Sequence, residues 1–224
     1  MNDLIQQEIF EIEVLAWLKN KGFLRNLIFG GGTMLRLCYN LRRYSVDLDF
    51  WTYRVDRIDQ FFINLKDSLK IDYDLTDAQN KYYTLLFEIK KAPYSHSRKL
   101  KIEIRKEPKA RDFQETIAYS PYSNQQVLLK SFTLGQMMKN KIEAFLERKE
   151  IRDVFDIGFL SRRGVNLSVD DEELKKIKEI IQGFKKRDYY VTLGSLLDDD
   201  TREYYKKNKF AYLLSIIDER LSYK

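Results

Sequence analysis

The chain has one cysteine, Cys38, so no disulfide can form within it. A reducing cytoplasm is the simplest expectation. It also has one histidine, His96, which excludes a His-rich zinc site and an HExxH helix. No GxSxG elbow is present to serve a Ser-His-Asp triad. Chemistry must therefore run on carboxylates, lysines, backbone amides and bound metal. Three prolines and nine glycines exclude collagen-like or linker-rich architecture. No apolar run approaches the roughly 20 residues of a membrane span, so no membrane association is expected. The first residues have neither the basic region nor the apolar stretch of a secretory leader, and cytoplasmic location remains the expectation.

What is present is a globular composition. The 224 residues are 44% hydrophobic and 33% charged, with a net charge of +6. That excess is compatible with a polyanionic partner but favours one only weakly. No heptad seam or long apolar edge is evident, and a monomer is expected.

Hydrophobic periodicity predicts a helix over residues 2–21, closed by Gly22, then a strand over 24–29 that enters the turn Gly30-Gly31-Gly32. A short helix from Thr33 to Tyr39 follows. Residues 45–51 alternate as a strand, 56–70 are helical, and 82–89 and 100–105 are further strands, with turns at Asn80 and at residues 93–97. His96 is expected in that second turn. After Pro121 the pattern is helical: a long segment from Leu134 to Leu160, or two helices meeting near Ile151, then 170–184 and 201–221. Ser168 is a candidate cap for the segment at 170–184. The fold class is therefore α+β, a small mixed sheet with flanking helices followed by an all-helical C-terminal half. We divide it as residues 1–120 and 121–224, the second domain being expected to complete the active-site cleft.

Three features carry chemistry. A glycine turn between strand and helix, Gly30-Gly31-Gly32-Thr33, lets backbone amides approach a phosphate at a helix N-terminus; the bland alternative is a tight turn. Asp47 and Asp49 lie two apart on a strand, hence on one face, where both can ligate one or two Mg²⁺ ions through oxygen. The alternative is a solvated edge. Glu103, between Ile102 and Ile104, can bring a third carboxylate to that cluster, or pair with Lys101 or Arg105.

This ordered set resembles the nucleotidyltransferase (DNA polymerase β-like) superfamily. Gly31-Gly32-Thr33-Met34-Leu35-Arg36, followed by Arg43-Tyr44-Ser45-Val46-Asp47-Leu48-Asp49-Phe50, resembles more closely the AbiEii nucleotidyltransferase toxin family. Lys141-Ile142-Glu143-Ala144-Phe145-Leu146 with Arg148 and Arg152-Asp153-Val154-Phe155-Asp156 is similar to that family's second motif. Tyr44 replaces a usual Phe, and residues 165–224 match no motif.

The resemblance implies transfer of nucleotide from an NTP to an acceptor with release of pyrophosphate. Asp47, Asp49 and Glu103 would hold two Mg²⁺ ions, and Gly31, Gly32 and Thr33 would contact the β and γ phosphates. The motif match selects Lys141, among several nearby cations, as a charge-neutralising catalytic and nucleotide-binding residue. Asp156, flanked by Phe155 and Ile157, would orient Lys141 or Arg152, and Asp153 shares its helix face. Ser45 faces the cleft as a nucleotide-binding residue or internal acceptor, or merely caps the strand. Arg36, Arg43 and Arg152 are candidate RNA contacts. The resemblance also implies tRNA as acceptor and a separately encoded antitoxin as partner. The competing expectations are a catalytically silent nucleotide- or RNA-binding module, and an enzyme modifying a small molecule or a protein.

Overall fold

A computed structural model describes residues 2–91, 99–107 and 112–222. The expected turn at 93–97, with His96, lies outside them. The chain forms two compact units: residues 1–40 with 45–132, and residues 41–44 with 133–224.

The first unit is built on a seven-stranded mixed sheet. Helix α1 (Asn2–Asn20) ends where Gly22 takes φ +84, and a 3-10 turn (Phe23–Asn26) leads into β1 (Leu27–Gly30). The expected strand at 24–29 is thus half turn: the left-handed Gly22 redirects the chain, and Leu24 is buried by packing rather than by pairing. Next come α2 (Gly31–Tyr39), β2 (Asp47–Thr52), α3 (Ile58–Asp72), β3 (Asp74–Asn80), β4 (Thr84–Lys90), β5 (Lys99–Arg105), β6 (Phe113–Tyr119) and β7 (Gln126–Phe132). The strand order is β3-β4-β5-β2-β1-β7-β6, with β2–β5 and β1–β7 parallel and the other pairs antiparallel.

Three of these strands are additions to the sequence reading. β3 is mostly polar and none of its residues is buried, and both it and β6 lie at the sheet edges. β7 does alternate, burying Val127, Leu129 and Ser131, and it carries the sheet past Pro121 into residues expected to be helical. The period-two pattern of the central strands decides the core. Leu48, Phe50, Phe87, Leu100, Ile102 and Ile104 are fully buried on one face, and the α3 ring of Phe62 packs on Phe87 at 5.2 Å.

Five helices make the second unit: α4 (Leu134–Arg148), α5 (Ile151–Arg162), α6 (Asp171–Gly183), α7 (Asp199–Asn208) and α8 (Ala211–Ser222). Thr133 caps α4 through the amide of Gln136, and Asp170, not Ser168, caps α6 through that of Glu173. The Asp170 carboxylate, being charged, is the stronger acceptor. A π-helical turn (Asp188–Leu193) precedes α7. The single helix expected at 201–221 is broken at Lys209, φ +49, where Phe210 turns inward onto Tyr189 and Tyr205. Those rings, with Phe155 against Tyr205, form the core of this unit beside Leu174, Ile177 and Ile181 of α6.

Candidate active site

In the sheet unit, the β1–α2 turn and the β2 carboxylates are one piece of architecture. Gly31 has φ +75, and a Cβ there would run into the Asp49 carboxylate. A side chain is therefore excluded both by conformation and by space. Gly30 is pressed between the rings of Trp51 and Phe132, so it too must lack a Cβ. Thr33 is fully buried and its hydroxyl donates to the Asp47 carbonyl at 2.6 Å. That bond staples the first turn of α2 to the start of β2. It also commits the hydroxyl to backbone, leaving amides as the groups α2 can offer a phosphate.

Strand β2 pairs in parallel with β5, in the register Asp47 with Lys101, Asp49 with Glu103 and Trp51 with Arg105. Because side chains alternate, these six share one face, opposite the buried Leu48, Phe50, Ile102 and Ile104. The expected trio is therefore brought together: Asp49 beside Glu103, and Asp47 one pleat away. Lys101 Nζ lies 2.7 Å from Glu103 Oε2, and Arg105 Nε is 4.0 Å from Oε1. Arg105 also sits over the Trp51 ring at 5.1 Å. Burial disfavours the charged form of Lys101, but Glu103, Asp47 and Asp49 outweigh it and raise its pKa. Among the described residues, no three Asp, Glu, His or Cys side chains already converge as a ready metal cage. The donor set is nonetheless chemically apt: carboxylate oxygens on one rigid strand face suit Mg²⁺, and the face already holds a cation. Ser45 lies half-buried, two residues before β2.

Beneath this face, α1 and α2 carry a second acidic group that sequence reasoning did not find. Arg36 binds Glu8, whose other oxygen accepts from Ser120 Oγ at 2.6 Å. Glu11 is buried one turn on, and neither of its oxygens has a hydrogen bond of normal geometry. Burial raises its pKa well above the usual range, helped by Glu8 and Asp47 and opposed by Arg36 and the Gln7 amide. The signal available was two glutamates set among the apolar residues of a long helix.

In the helical unit, Asp153 and Asp156 lie one turn apart on α5, both fully buried. Arg43 reaches Asp156 with two bonds of 2.6 Å, and Lys141 Nζ, from α4, is 2.6 Å from Asp156 and 3.3 Å from Asp153. Arg148 closes the set with bonds of 2.7 and 2.8 Å to Asp153. Burial alone would raise the Asp156 pKa, yet Arg43 and Lys141 hold it below the usual carboxylate value. Of the two cations expected near Asp156, Lys141 is the one paired with it, while Arg152 pairs at the surface with Glu150. Arg43 corrects an expectation. It is 3% exposed and bound edge-on to Asp156, so its guanidinium serves the interior of this unit rather than RNA. Arg36 is likewise mostly covered and tied to Glu8, which leaves Arg152 as the exposed member of the three arginines.

A strand–glycine-turn–helix with acidic residues on the adjoining strands defines the nucleotidyltransferase-like class of fold. The structure of JHP933 from Helicobacter pylori matches 95% of this chain and 93% of its own at TM-score 0.60 and 18% identity. An antigenic nucleotidyltransferase-like protein from Paracoccidioides brasiliensis matches 87% and 95% at TM-score 0.52 and 14% identity. These likenesses establish the fold alone. No curated protein matches the sequence significantly. The family model described as "Nucleotidyl transferase AbiEii toxin, Type IV TA system" matches residues 14–213, and the chain belongs to that family. A nucleotidyltransferase and an antitoxin partner follow at that coarse level. Among the described residues no helix is long and apolar enough to cross a membrane.

Proposed function

We propose that this member of a nucleotidyltransferase toxin family is Mg²⁺-dependent and moves nucleotide from an NTP to an RNA acceptor, with tRNA as the acceptor class. The observation that carries the reading is the β2–β5 register, which sets Asp47, Asp49 and Glu103 side by side next to a glycine turn that abuts Asp49. In the reaction, the acceptor hydroxyl oxygen bonds to the α phosphorus. The bond from that phosphorus to the pyrophosphate bridging oxygen breaks, and the hydroxyl proton passes to a carboxylate or to solvent.

Asp47, Asp49 and Glu103 would hold the divalent ions, which, when bound, supply Lewis acidity and orient donor and acceptor. The amides of Gly31 and Gly32, with that of Thr33, would receive the β and γ phosphates. Lys141 would neutralise triphosphate charge. Asp156 and Asp153 would be its positioning residues, with Arg43 and Lys141 holding the Asp156 carboxyl below its usual value. Ser45 remains a candidate nucleotide contact and Arg152 a candidate RNA contact.

The test is incubation of the protein with Mg²⁺ and each of four α-labelled NTPs, with and without total RNA, beside Asp47→Ala/Asp49→Ala protein. Label in a tRNA-sized band with the unsubstituted protein only supports the reading. Label in protein or small-molecule fractions redirects the acceptor. NTP binding without label anywhere favours a silent nucleotide-binding module.

A further inference from the structure

The residue opposite Asp47 on β5 is not another acid but Lys101. Three carboxylates on neighbouring positions of two adjacent strands repel one another, and like charges directly opposed weaken strand pairing. The fold answers this with a cation from within its own face. Lys101 stands two residues before Glu103 on the same strand and across from Asp47 on the next. Its ammonium donates to Glu103 at 2.7 Å. The side chain is 40% exposed, so a flexible four-carbon stem has open solvent to move into. Arg105, the other cation on the face, is stacked over Trp51 and lies 4.0 Å from Glu103, a looser contact.

We propose that Lys101 is the resting counter-ion of the Asp47–Asp49–Glu103 face, and that its ammonium leaves Glu103 for solvent when a divalent cation binds there. This rests on the proposed function in taking that face as the metal site. Lys101 then acts as a built-in competitor: it stabilises the metal-free protein and weakens its hold on free Mg²⁺. Retention of metal would be biased toward the state in which a triphosphate adds its own oxygen ligands.

The test uses the intact protein and the metal alone. Mn²⁺ binding is measured by water-proton relaxation, and Mg²⁺ binding by calorimetry, for wild type, Lys101→Met, Lys101→Arg and Lys101→Met/Asp49→Asn. Removing a charge-assisted bond that the metal must displace is expected to tighten binding about tenfold in Lys101→Met. Lys101→Arg should stay near wild type, and Asp49→Asn should cancel the gain. In EDTA, Lys101→Met should melt below wild type, and Mg²⁺ should restore more of its melting temperature than it adds to wild type. Lys101→Gln repeats the comparison should the Met variant fold poorly. Equal metal affinity in wild type, Lys101→Met and Lys101→Gln would overturn this inference and leave the metal site standing. Absence of binding in every variant would overturn both.

Discussion

Asp156 offers the sharpest perturbation. Its carboxylate is wholly buried and takes two bonds from Arg43 and one from Lys141, each at 2.6 Å. In Asp156→Asn the shape is kept, but one oxygen becomes an N–H donor facing buried cations. Breaking a buried ion pair from one side costs about 3–5 kcal/mol, because the remaining charge loses its counter-ion where water cannot replace it. At roughly 2–4 °C per kcal/mol for a chain of this size, the melting temperature should fall by about 6–20 °C. Calorimetry and urea unfolding would measure it, with the urea slope unchanged if only stability moves. Replacing the set together, as Arg43→Met/Lys141→Met/Asp156→Leu, should cost less than the single substitution, since no unpaired charge remains at Asp156. The pH dependence has a definite sign. The folded pKa of Asp156 lies below its ordinary 3.8, so its contribution is present above that value and is lost as pH falls through the folded pKa. Asp156→Asn should therefore flatten part of the acid limb of the stability profile. A loss under about 1 kcal/mol with an unchanged acid limb would refute the picture of a buried network that depends on this carboxylate.

Other outcomes follow from the sheet unit. Glu11→Met should raise stability near pH 8 by about 1–2 kcal/mol in denaturant titrations, since it removes a buried acid lacking a proper hydrogen bond. Because the folded pKa of Glu11 is raised, its cost grows as pH climbs above 4.5, and the gain should shrink toward pH 4–5. Gly31→Ala forces a β-carbon into the Asp49 carboxylate at φ +75 and should cost about 1–3 kcal/mol in melting experiments while displacing Asp49. Asp47→Ala, half-exposed, should melt within a few degrees of wild type yet lose all but about 1% of nucleotide transfer in the labelled-NTP assay.

Legibility in the sequence tracked how local each cause is. The β2 and β5 alternation and the glycine turn are written in adjacent residues, so the face bearing Asp47, Asp49 and Glu103 could be read directly. The break between α4 and α5 was anticipated near Ile151, although no glycine or proline marks it; Lys149 takes φ +56 instead. The Lys209 break was missed because it depends on Phe210 finding a pocket of rings contributed from elsewhere. Strand β3 had no apolar rhythm to betray it, since none of its residues is buried and Leu75 and Ala78 are its only apolar side chains. Arg43 looked like a surface charge because its partner is 113 residues away, and nothing nearby in sequence announces a buried acid. Lys101 was visible as a neighbour of Glu103, but its relation to Asp47 exists only once β2 and β5 are aligned.

The four residues Leu41–Tyr44 belong with the helices, although the chain on both sides belongs with the sheet. They are held there by the Tyr44 amide on the Leu196 carbonyl at 2.8 Å, by the bridge of Arg43 to Leu197, and by the Arg43 guanidinium on Asp156. The helical segment is consequently not a cassette that recombination can move with one crossover. A fragment starting at Thr133 would inherit Asp156 without the arginine that matches it. A homologue's helices grafted after Phe132 would meet a foreign Leu41–Tyr44. Descent should therefore couple two stretches far apart in the gene, with changes in the short one answered in α5 and around Leu196.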